Sequence, residues 1–171
     1  LPSPHDPGAR ISQAALYGLL NAMRQQESTY KSAGSVHGCA LFRQDQMLTF
    51  VEDVGRHNAI DTIAGWMWLH GVDGSDKTFY TTGRLTSEMV IKSAQMGVPV
   101  IVSRSGITQM GHHVAQLVGL CAIGRAKNKR FLCYTHAERA KLQAGRVARA
   151  RRLRYRSQRE GRLSVKSSSG A

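Results

Sequence analysis

The sequence lacks any long apolar run. A membrane-spanning helix needs roughly 18 to 20 consecutive apolar residues, and no stretch of this chain approaches that length. The first ten residues, LPSPHDPGAR, contain neither the basic segment nor the apolar segment of a secretory signal. From these absences we expect a cytoplasmic protein that does not bind membranes.

Cysteine is scarce, and the motifs of several enzyme classes are missing. The three cysteines, Cys39, Cys121 and Cys133, lie in apolar contexts without a C-x-x-C pair, which predicts reduced, buried thiols and no disulfide framework. The segment THAE supplies the H-x-E of a zinc nucleobase deaminase, but the P-C-x-x-C that must follow is absent, so we exclude zinc deamination. No G-x-S-x-G elbow, P-loop or dinucleotide fingerprint is present either.

Acidic residues are scarce only at the end of the chain. The first 124 residues hold nine basic and nine acidic residues, whereas residues 125–171 hold fifteen basic and two acidic ones, so this segment carries the whole net charge of +13. We predict a linker over residues 1–9, one domain over 10–141 and a disordered basic tail over 142–171. The tail is either a solubilising extension or an electrostatic docking segment. Its single aromatic residue, Tyr155, argues against sequence-specific RNA binding.

Between the linker and the tail, apolar patterns typical of helices and strands alternate. An amphipathic helix from Ile11 is followed by two short runs that we interpret as a hairpin, and then by an alternation of strands and helices. This order predicts an α/β fold, a three-layer sandwich around a mixed, mostly parallel sheet. The expected helices are 58–69, 86–95 and 108–118, and the expected strands are 39–42, 47–54, 78–82, 98–103, 120–124 and 131–135.

Glycine and arginine recur at the turns that follow the predicted strands. The carboxyl ends of parallel strands lie at one edge of a sheet, where ligands of such folds bind. Glycine allows close backbone approach, helix N-termini attract anions and arginine clamps phosphate. The turns therefore predict a large anionic ligand with several phosphates. They read DVGRHN (Gly55, Arg56), TTGRLTSE (Gly83, Arg84), VSRSGIT (Arg104, Gly106) and IGRAKNKR (Gly124 to Arg130).

Local pairing is the alternative explanation for several of these charges. Arginines can pair with nearby acids, and two charged residues four apart on a helix can pair with each other. His37, before the first hairpin strand, either faces the ligand edge or is structural. The alternative pairs are Arg56 with Asp53, Arg84 with Glu88, and His57 with Asp61.

At these residues the sequence resembles the formate dehydrogenase accessory sulfurtransferases, the FdhD family. The resemblance covers about residues 32–139. It is carried, in the family's order and spacing, by VHGCALF, EDVGRHNAID, TTGRLTSEMVIKSAQMGVPVIVSRS and YTHAER.

The resemblance implies a fold related to the cytidine deaminases, without their zinc. It implies a cytoplasmic, dimeric sulfurtransferase that takes sulfur from a cysteine desulfurase and passes it to the bis-guanine-dinucleotide molybdenum cofactor, which is then delivered to formate dehydrogenase. In the family the segment that aligns with residues 125–130 contacts this cofactor, and it usually contains glycine near Asn128 and Lys129. GDP is expected to mimic the cofactor.

The residues and the resemblance together give the expected cofactor site. Arginine side chains would hold phosphates, glycines would give backbone access, and acidic residues would contact the sugar or base or hold the arginines. The phosphate-binding residues would be Arg56, Arg84, Arg104 and Arg130, and the glycines would be Gly55 and Gly83. The acidic residues would be Glu52, Asp53 and Asp61, with His37 and His57 as lesser candidates. The aligned segment adds Arg125, Ala126, Lys127, Asn128 and Lys129.

The chain also departs from the family pattern. The family carries sulfur on a C-x-x-C pair just upstream of the helix at Ile11, and this sequence contains no such pair, so we assign no catalytic residue. The family normally ends soon after YTHAER, which makes the basic tail foreign to it. The alternative function is a non-catalytic, anion-binding α/β scaffold whose tail docks an acidic partner.

Overall fold

The protein is described by a computed structural model over residues 10–26 and 34–141. The expected linker and basic tail lie outside these ranges. Within these ranges the α-helices are α1 (Gln13–Gln25), α2 (Arg56–Leu69), α3 (Ser87–Gln95) and α4 (Gln109–Leu117), and a 3₁₀ turn covers Ala137–Arg139. The strands are β1 (Ile11–Ser12), β2 (His37–Arg43), β3 (Gln46–Asp53), β4 (Lys77–Thr81), β5 (Val100–Ser103), β6 (Cys121–Lys127), β7 (Arg130–Cys133) and β8 (Ala140–Lys141).

Six strands form one mixed sheet in the order β3-β2-β4-β5-β6-β7. The central strands β4, β5 and β6 are parallel, while β2 is antiparallel to both its neighbours and β7 is antiparallel to β6. The mixed α/β sheet expected from the sequence is confirmed, with the antiparallel pairings at its two sides.

Helices cover both faces of this sheet. Strand residues alternate between the faces, so Ala40 and Tyr80 pack in one apolar cluster with Leu16 and Leu19 of α1. Their neighbours along the strands, such as Phe79, pack in a second cluster with α2, α3 and α4. Among the described residues the structure therefore has three layers, with α1 on one face of the sheet and α2, α3 and α4 on the opposite face.

The first helix begins two residues later than its apolar pattern suggested. Ile11 and Ser12 form β1, which pairs in parallel with β8 through Ile11 and Ala140. The Ser12 hydroxyl accepts a hydrogen bond from the Ala15 N–H at 3.0 Å, which satisfies one free donor of the first helical turn. This cap fixes the start of α1 at Gln13.

Across residues 10–26 and 34–141, every helix is too short or too polar to cross a membrane.

Candidate anion-binding site

The carboxyl ends of the parallel strands are joined to one another by hydrogen bonds. The Arg104 N–H donates to the Thr81 carbonyl at 3.0 Å, and the Arg125 N–H donates to the Ser105 carbonyl at 2.7 Å. The Ser103 hydroxyl donates to the Gly83 carbonyl at 2.6 Å. Because these bonds satisfy the turn backbone, the exposed side chains at the edge are presented from a rigid frame.

A pocket of about 230 Å³ opens at this edge, between α1 and the sheet. Its apolar floor contains the Phe50 and Tyr80 rings, and its cationic residues are Arg24, Arg104 and Lys127. The full lining is Leu20, Met23, Arg24, Gln26, Gly38, Phe50, Glu52, Tyr80, Thr82, Arg104, Ala126, Lys127 and Asn128.

Alternation along the strands explains which residues reach this pocket. Phe50 and Glu52 of β3 are two residues apart, as are Tyr80 and Thr82 at the end of β4, so each pair points to the α1 face. Gly38 makes room for this arrangement, since a Cβ there would lie 3.2 Å from Cε2 of Phe50. The pocket thus combines three cations, one carboxylate and two rings, a combination suited to a flat, negatively charged ligand.

A second cluster lies on the other side of the same sheet edge and contains His37, Arg56 and Gly83. A Cβ placed on Gly83 would lie 3.1 Å from Cδ of Arg56 and 3.3 Å from Nδ1 of His37. The Nε of Arg56 is buried and has no hydrogen-bond partner among the residues that the structure describes. Burial, followed by the positive charges of Arg56 and His57, lowers the pKa of His37. This cluster is therefore electropositive, and a buried donor in it is unsatisfied.

The turn EDVGRHNAID shapes this second cluster. The Asp53 carboxylate accepts hydrogen bonds from the Gly55 N–H at 2.7 Å and from the Asn58 amide at 3.1 Å. Asp53 therefore holds the turn before α2 rather than orienting Arg56. Gly55 is the N-cap of α2 and has no side chain to cap the helix, so Asp53 supplies the capping contacts from two residues upstream.

Two of the alternative local pairs are replaced by contacts between helices. The His57 ring pairs with Glu88 of α3 at 3.1 Å, and Asp61 pairs with Lys92 of α3 at 2.6 Å. The alternative pairs His57–Asp61 and Arg84–Glu88 do not form, because α2 and α3 lie side by side and offer other partners to His57, Asp61 and Glu88. Arg84 is exposed at the edge.

The segment at residues 125–130 comprises the end of β6, the two-residue turn at Asn128 and Lys129, and the first residue of β7. Arg125 and Asn128 have left-handed backbone, with φ of 51° and 57°. Asparagine tolerates this conformation better than most residues, which explains how the turn forms where the family usually has glycine. Ala126, Lys127 and Asn128 line the pocket, Lys129 lines a neighbouring cleft with Tyr17, and Arg125 and Arg130 are exposed beside it.

The structure thus divides the expected site residues among three places. Glu52, Arg104, Ala126, Lys127 and Asn128 share the pocket. His37, Arg56 and Gly83 form the second cluster, next to Asp53 and Gly55. Asp61 lies elsewhere, in a groove between α2 and α3.

Several pocket residues were not expected from the sequence. They are Arg24, Phe50, Tyr80 and Thr82. The two-residue alternation of Phe50 with Glu52 and of Tyr80 with Thr82 was visible in the sequence, but the face to which it pointed was not. Arg24 could not be predicted as a pocket residue because its position there depends on how α1 packs on the sheet.

The H-x-E motif, Cys121 and Cys133 lie at the other end of the strands from the pocket. His136 contacts Glu138 through Nδ1 at 2.9 Å and the Gln116 carbonyl through Nε2 at 3.1 Å. Within 10–26 and 34–141, no group of three or more His, Cys, Asp or Glu residues could hold a metal ion. All three cysteines are buried, as expected, and burial raises the pKa of Cys39 to about 12. Cys39 is therefore not an exposed thiolate of the kind that carries a persulfide.

Comparison with known proteins decides the family. The sequence profile of the FdhD/NarQ family matches residues 1–141. The chain belongs to the FdhD/NarQ family. The resemblance deduced from its motifs is confirmed.

Relatives in this family cover a wide range of organisms. The chain is 36% identical over 130 residues to the sulfur carrier protein FdhD of Bacillus subtilis, which covers 76% of this chain and 50% of that protein. It is 34% identical over 131 residues to the sulfur carrier protein FdhD of Thermoplasma acidophilum, covering 76% of this chain and 46% of that protein. The chain therefore spans about half the length of these curated relatives.

A solved structure supports the fold. A protein described as a formate dehydrogenase accessory protein from Desulfotalea psychrophila superposes with a TM-score of 0.74 at 30% identity. The match covers 82% of this chain and 59% of that one. The α/β fold expected from the sequence is thus shared with this solved structure.

Proposed function

We propose that this chain is the cofactor-binding part of a formate dehydrogenase accessory protein. It would bind the bis-guanine-dinucleotide molybdenum cofactor as cargo while sulfur is transferred to it. The observation that carries this proposal is the pocket at the sheet edge, which places Arg24, Arg104 and Lys127 around an aromatic floor. The identity of the cargo is carried over from the family resemblance as part of this proposal.

The pocket matches the chemistry of a guanine nucleotide. Phe50, which is only partly buried, offers a ring on which a purine can stack, while Tyr80 is buried beneath the pocket. Glu52 offers a carboxylate that can accept the two donors of a guanine edge. Arg104 and Lys127 stand at the open side as charge-assisted partners for phosphate. Each of these residues binds or orients the ligand, and none has to change its covalent state.

The second cluster would hold another part of the same ligand. The buried Arg56 Nε lacks a partner in the described residues, and an unsatisfied buried donor is costly. A phosphate oxygen at Arg56 would satisfy that donor. It would also offset the positive charge that, after burial, lowers the pKa of His37. Gly83 keeps the space beside both side chains free of a Cβ.

The sulfur chemistry is assigned to a part of the protein outside this chain. The sequence has no C-x-x-C pair, and all three of its cysteines are buried. A cysteine desulfurase would supply the sulfur in the cytoplasm, and a formate dehydrogenase would receive the sulfurated cofactor. The role of the present residues is to hold the cofactor during these steps.

Isothermal titration calorimetry with GDP tests the pocket. The double variant Arg104→Ala/Lys127→Ala removes two charge-assisted contacts, each worth about 1.5–3 kcal/mol, so GDP affinity should fall at least about 100-fold. Arg43→Ala is the matched control, because Arg43 is an exposed arginine that pairs with Asp76 at 3.1 Å, away from the pocket. Unchanged affinity in the double variant, or an equal loss in both proteins, would refute the assignment.

One observation favours a second function, a scaffold that docks an acidic partner: residues 125–171 carry the entire net charge. Deletion of residues 142–171 separates the two functions. GDP affinity should survive the deletion if the pocket is the functional site. Binding of an acidic model ligand such as heparin should disappear if the tail is the docking element.

A further inference from the structure

Two of the three cysteines form a pair that the proposed function does not use. The Sγ atoms of Cys121 and Cys133 are in contact, 3.8 Å apart. Both side chains are buried in the apolar cluster on the α1 side of the sheet, whereas Cys39, the third cysteine of the sequence, lies in the cluster on the opposite face. The fold therefore brings two thiols together and keeps the third away from them.

The pair joins the two strands of the β6–β7 hairpin. Cys133 lies opposite Ile123, and Cys121 is two residues before Ile123, so the two cysteines are diagonal neighbours on one face of the sheet. Diagonal Cα atoms are about 7–8 Å apart, slightly more than the roughly 4.4–6.8 Å that a disulfide usually spans. A bond between the two sulfur atoms therefore requires a small shift of the strands. The irregular pairing between Gly124 and Lys127 gives the hairpin room for that shift.

Hydrogen bonds give the two thiols different roles. The Cys133 thiol donates to the Thr135 carbonyl at 3.5 Å, so the hydrogen between the two sulfur atoms comes from Cys121. The hydrogen bond from Cys121 lowers the pKa of Cys133, and the same bond raises the pKa of Cys121. Because the thiolate is the reactive form of cysteine, Cys133 is the nucleophile of the pair.

Strand β7 gives small molecules a route to Cys133. It is four residues long, it lies at the end of the strand order, and among the described residues it pairs with β6 alone. Elements with few neighbours open locally more readily than central ones. Opening of β7 exposes Cys133, while Cys121 stays in a strand that also pairs with β5.

We propose that Cys121 and Cys133 are an oxidation site, at which a peroxide converts the two thiols into a reversible disulfide across the β6–β7 hairpin. The Cys133 thiolate attacks one oxygen of hydrogen peroxide, the O–O bond breaks, and hydroxide leaves and takes up the proton that Cys133 had lost. The Cys121 sulfur then attacks the resulting sulfenic acid and displaces its hydroxyl group, which leaves as water with the Cys121 proton. Two electrons pass from the two sulfur atoms to the peroxide, and a thiol reductant reverses the reaction.

The disulfide ties the hairpin that carries part of the pocket. Ala126, Lys127 and Asn128 line the pocket and lie between the two cysteines in the sequence. The cross-link closes this segment into a loop and prevents β7 from separating from β6. This property belongs to the hairpin itself, so it does not depend on the identity of the ligand.

Mass spectrometry of the full 171-residue chain before and after treatment with hydrogen peroxide tests the cross-link. Oxidation should remove two of the three free thiols and about 2 Da of mass, and dithiothreitol should restore both. Peptide mapping should place the bond between Cys121 and Cys133. Cys39 should stay reduced, because burial raises its pKa to about 12. Cys39→Ala is the matched control, since it leaves the pair as the only cysteines and should oxidise like the wild type.

Two serine variants separate the roles of the thiols. In Cys121→Ser, Cys133 should stop at the sulfenic acid, which dimedone traps as an adduct. In Cys133→Ser, Cys121 should stay reduced, because its side chain is fully buried. A pair that served only to pack the core would show no such asymmetry.

Hydrogen exchange reports the effect on the hairpin. The amides of β7 should exchange at least about tenfold more slowly in the oxidised protein, because the cross-link prevents local opening. The proposal would be overturned by a wild-type chain whose thiols all stay reduced, by oxidation of Cys39 as fast as of the pair, or by disulfides that form only between chains. Unchanged exchange of β7 after oxidation, or the absence of a dimedone adduct on Cys133 in Cys121→Ser, would also contradict it.

Discussion

Replacement of Arg56 by methionine should make the free protein more stable and a poorer binder. Methionine retains most of the aliphatic stem that packs beside Gly83 but removes the buried Nε, which has no partner in the described part of the chain. An unsatisfied buried donor costs about 1–3 kcal/mol. Arg56 is also the first residue of α2, where a positive charge opposes the helix dipole by about 0.3–1 kcal/mol. Because solvation of the guanidinium in the free protein offsets part of both costs, we expect a net gain of about 1 kcal/mol.

Urea denaturation of Arg56→Met and wild type, followed by far-ultraviolet circular dichroism, measures this difference. For a domain of this size, 1 kcal/mol corresponds to a rise in Tm of about 3–4 °C. Arg84→Met is the control, because Arg84 is exposed and its replacement should change stability by less than about 0.5 kcal/mol. In Arg56→Met the affinity for GDP or pyrophosphate should fall about tenfold or more relative to wild type. A loss of stability in Arg56→Met greater than that in Arg84→Met would refute the reasoning, because it would show that Arg56 stabilises the fold without a ligand.

Three further predictions concern protonation and packing. Anion binding beside Arg56 should raise the lowered pKa of His37, so GDP affinity should increase as the pH falls below 6.5, the ordinary pKa of histidine. NMR titrations of His37 with and without GDP measure the change in its pKa, and identical titration curves would contradict the prediction. Gly124→Ala should destabilise the protein by about 1–3 kcal/mol in urea titrations, because its Cβ would lie 2.6 Å from the Tyr134 ring, whereas Gly65→Ala, in open space, should not. The pKa of Glu138 is lowered by a hydrogen bond from its own backbone N–H and then by His136. The small contribution of Glu138 to stability is therefore present above pH 4.5, its ordinary pKa, and is lost as the pH falls through its lowered pKa. Glu138→Gln should flatten the acid limb of a stability–pH curve, and an unchanged limb would count against this contact.

The order and type of the main elements could be predicted from the sequence because each has a strong local pattern. The apolar run of β5 and the amphipathic α1 are examples, and their predicted bounds differ from the observed ones by two residues at most. Ile11 was misplaced because a two-residue strand has no periodicity of its own, and its partner Ala140 is distant in sequence.

The candidate site could be predicted only in part. The glycine and arginine turns indicated the edge of the sheet at which the pocket opens, since that inference needs only the alternation of strands and helices along the chain. The partners of His57 and Asp61 could not be predicted, because Glu88 and Lys92 belong to a neighbouring helix whose position depends on tertiary packing. Arg24 reaches the pocket for the same kind of reason.

The adjacent acidic residues Glu52 and Asp53 have a consequence for ligand length. Successive strand residues point to opposite sides of a sheet, so Glu52 lines the pocket while Asp53 holds the turn on the other side. A ligand in contact with both sides must straddle the end of the sheet, across roughly the 10 Å that separates packed layers. A single nucleotide would fill one side at a time, whereas an elongated molecule with two nucleotide arms could bridge both. Titration with mononucleotides should therefore reveal two unequal sites per chain, and tethering two such groups should convert them into one tighter site.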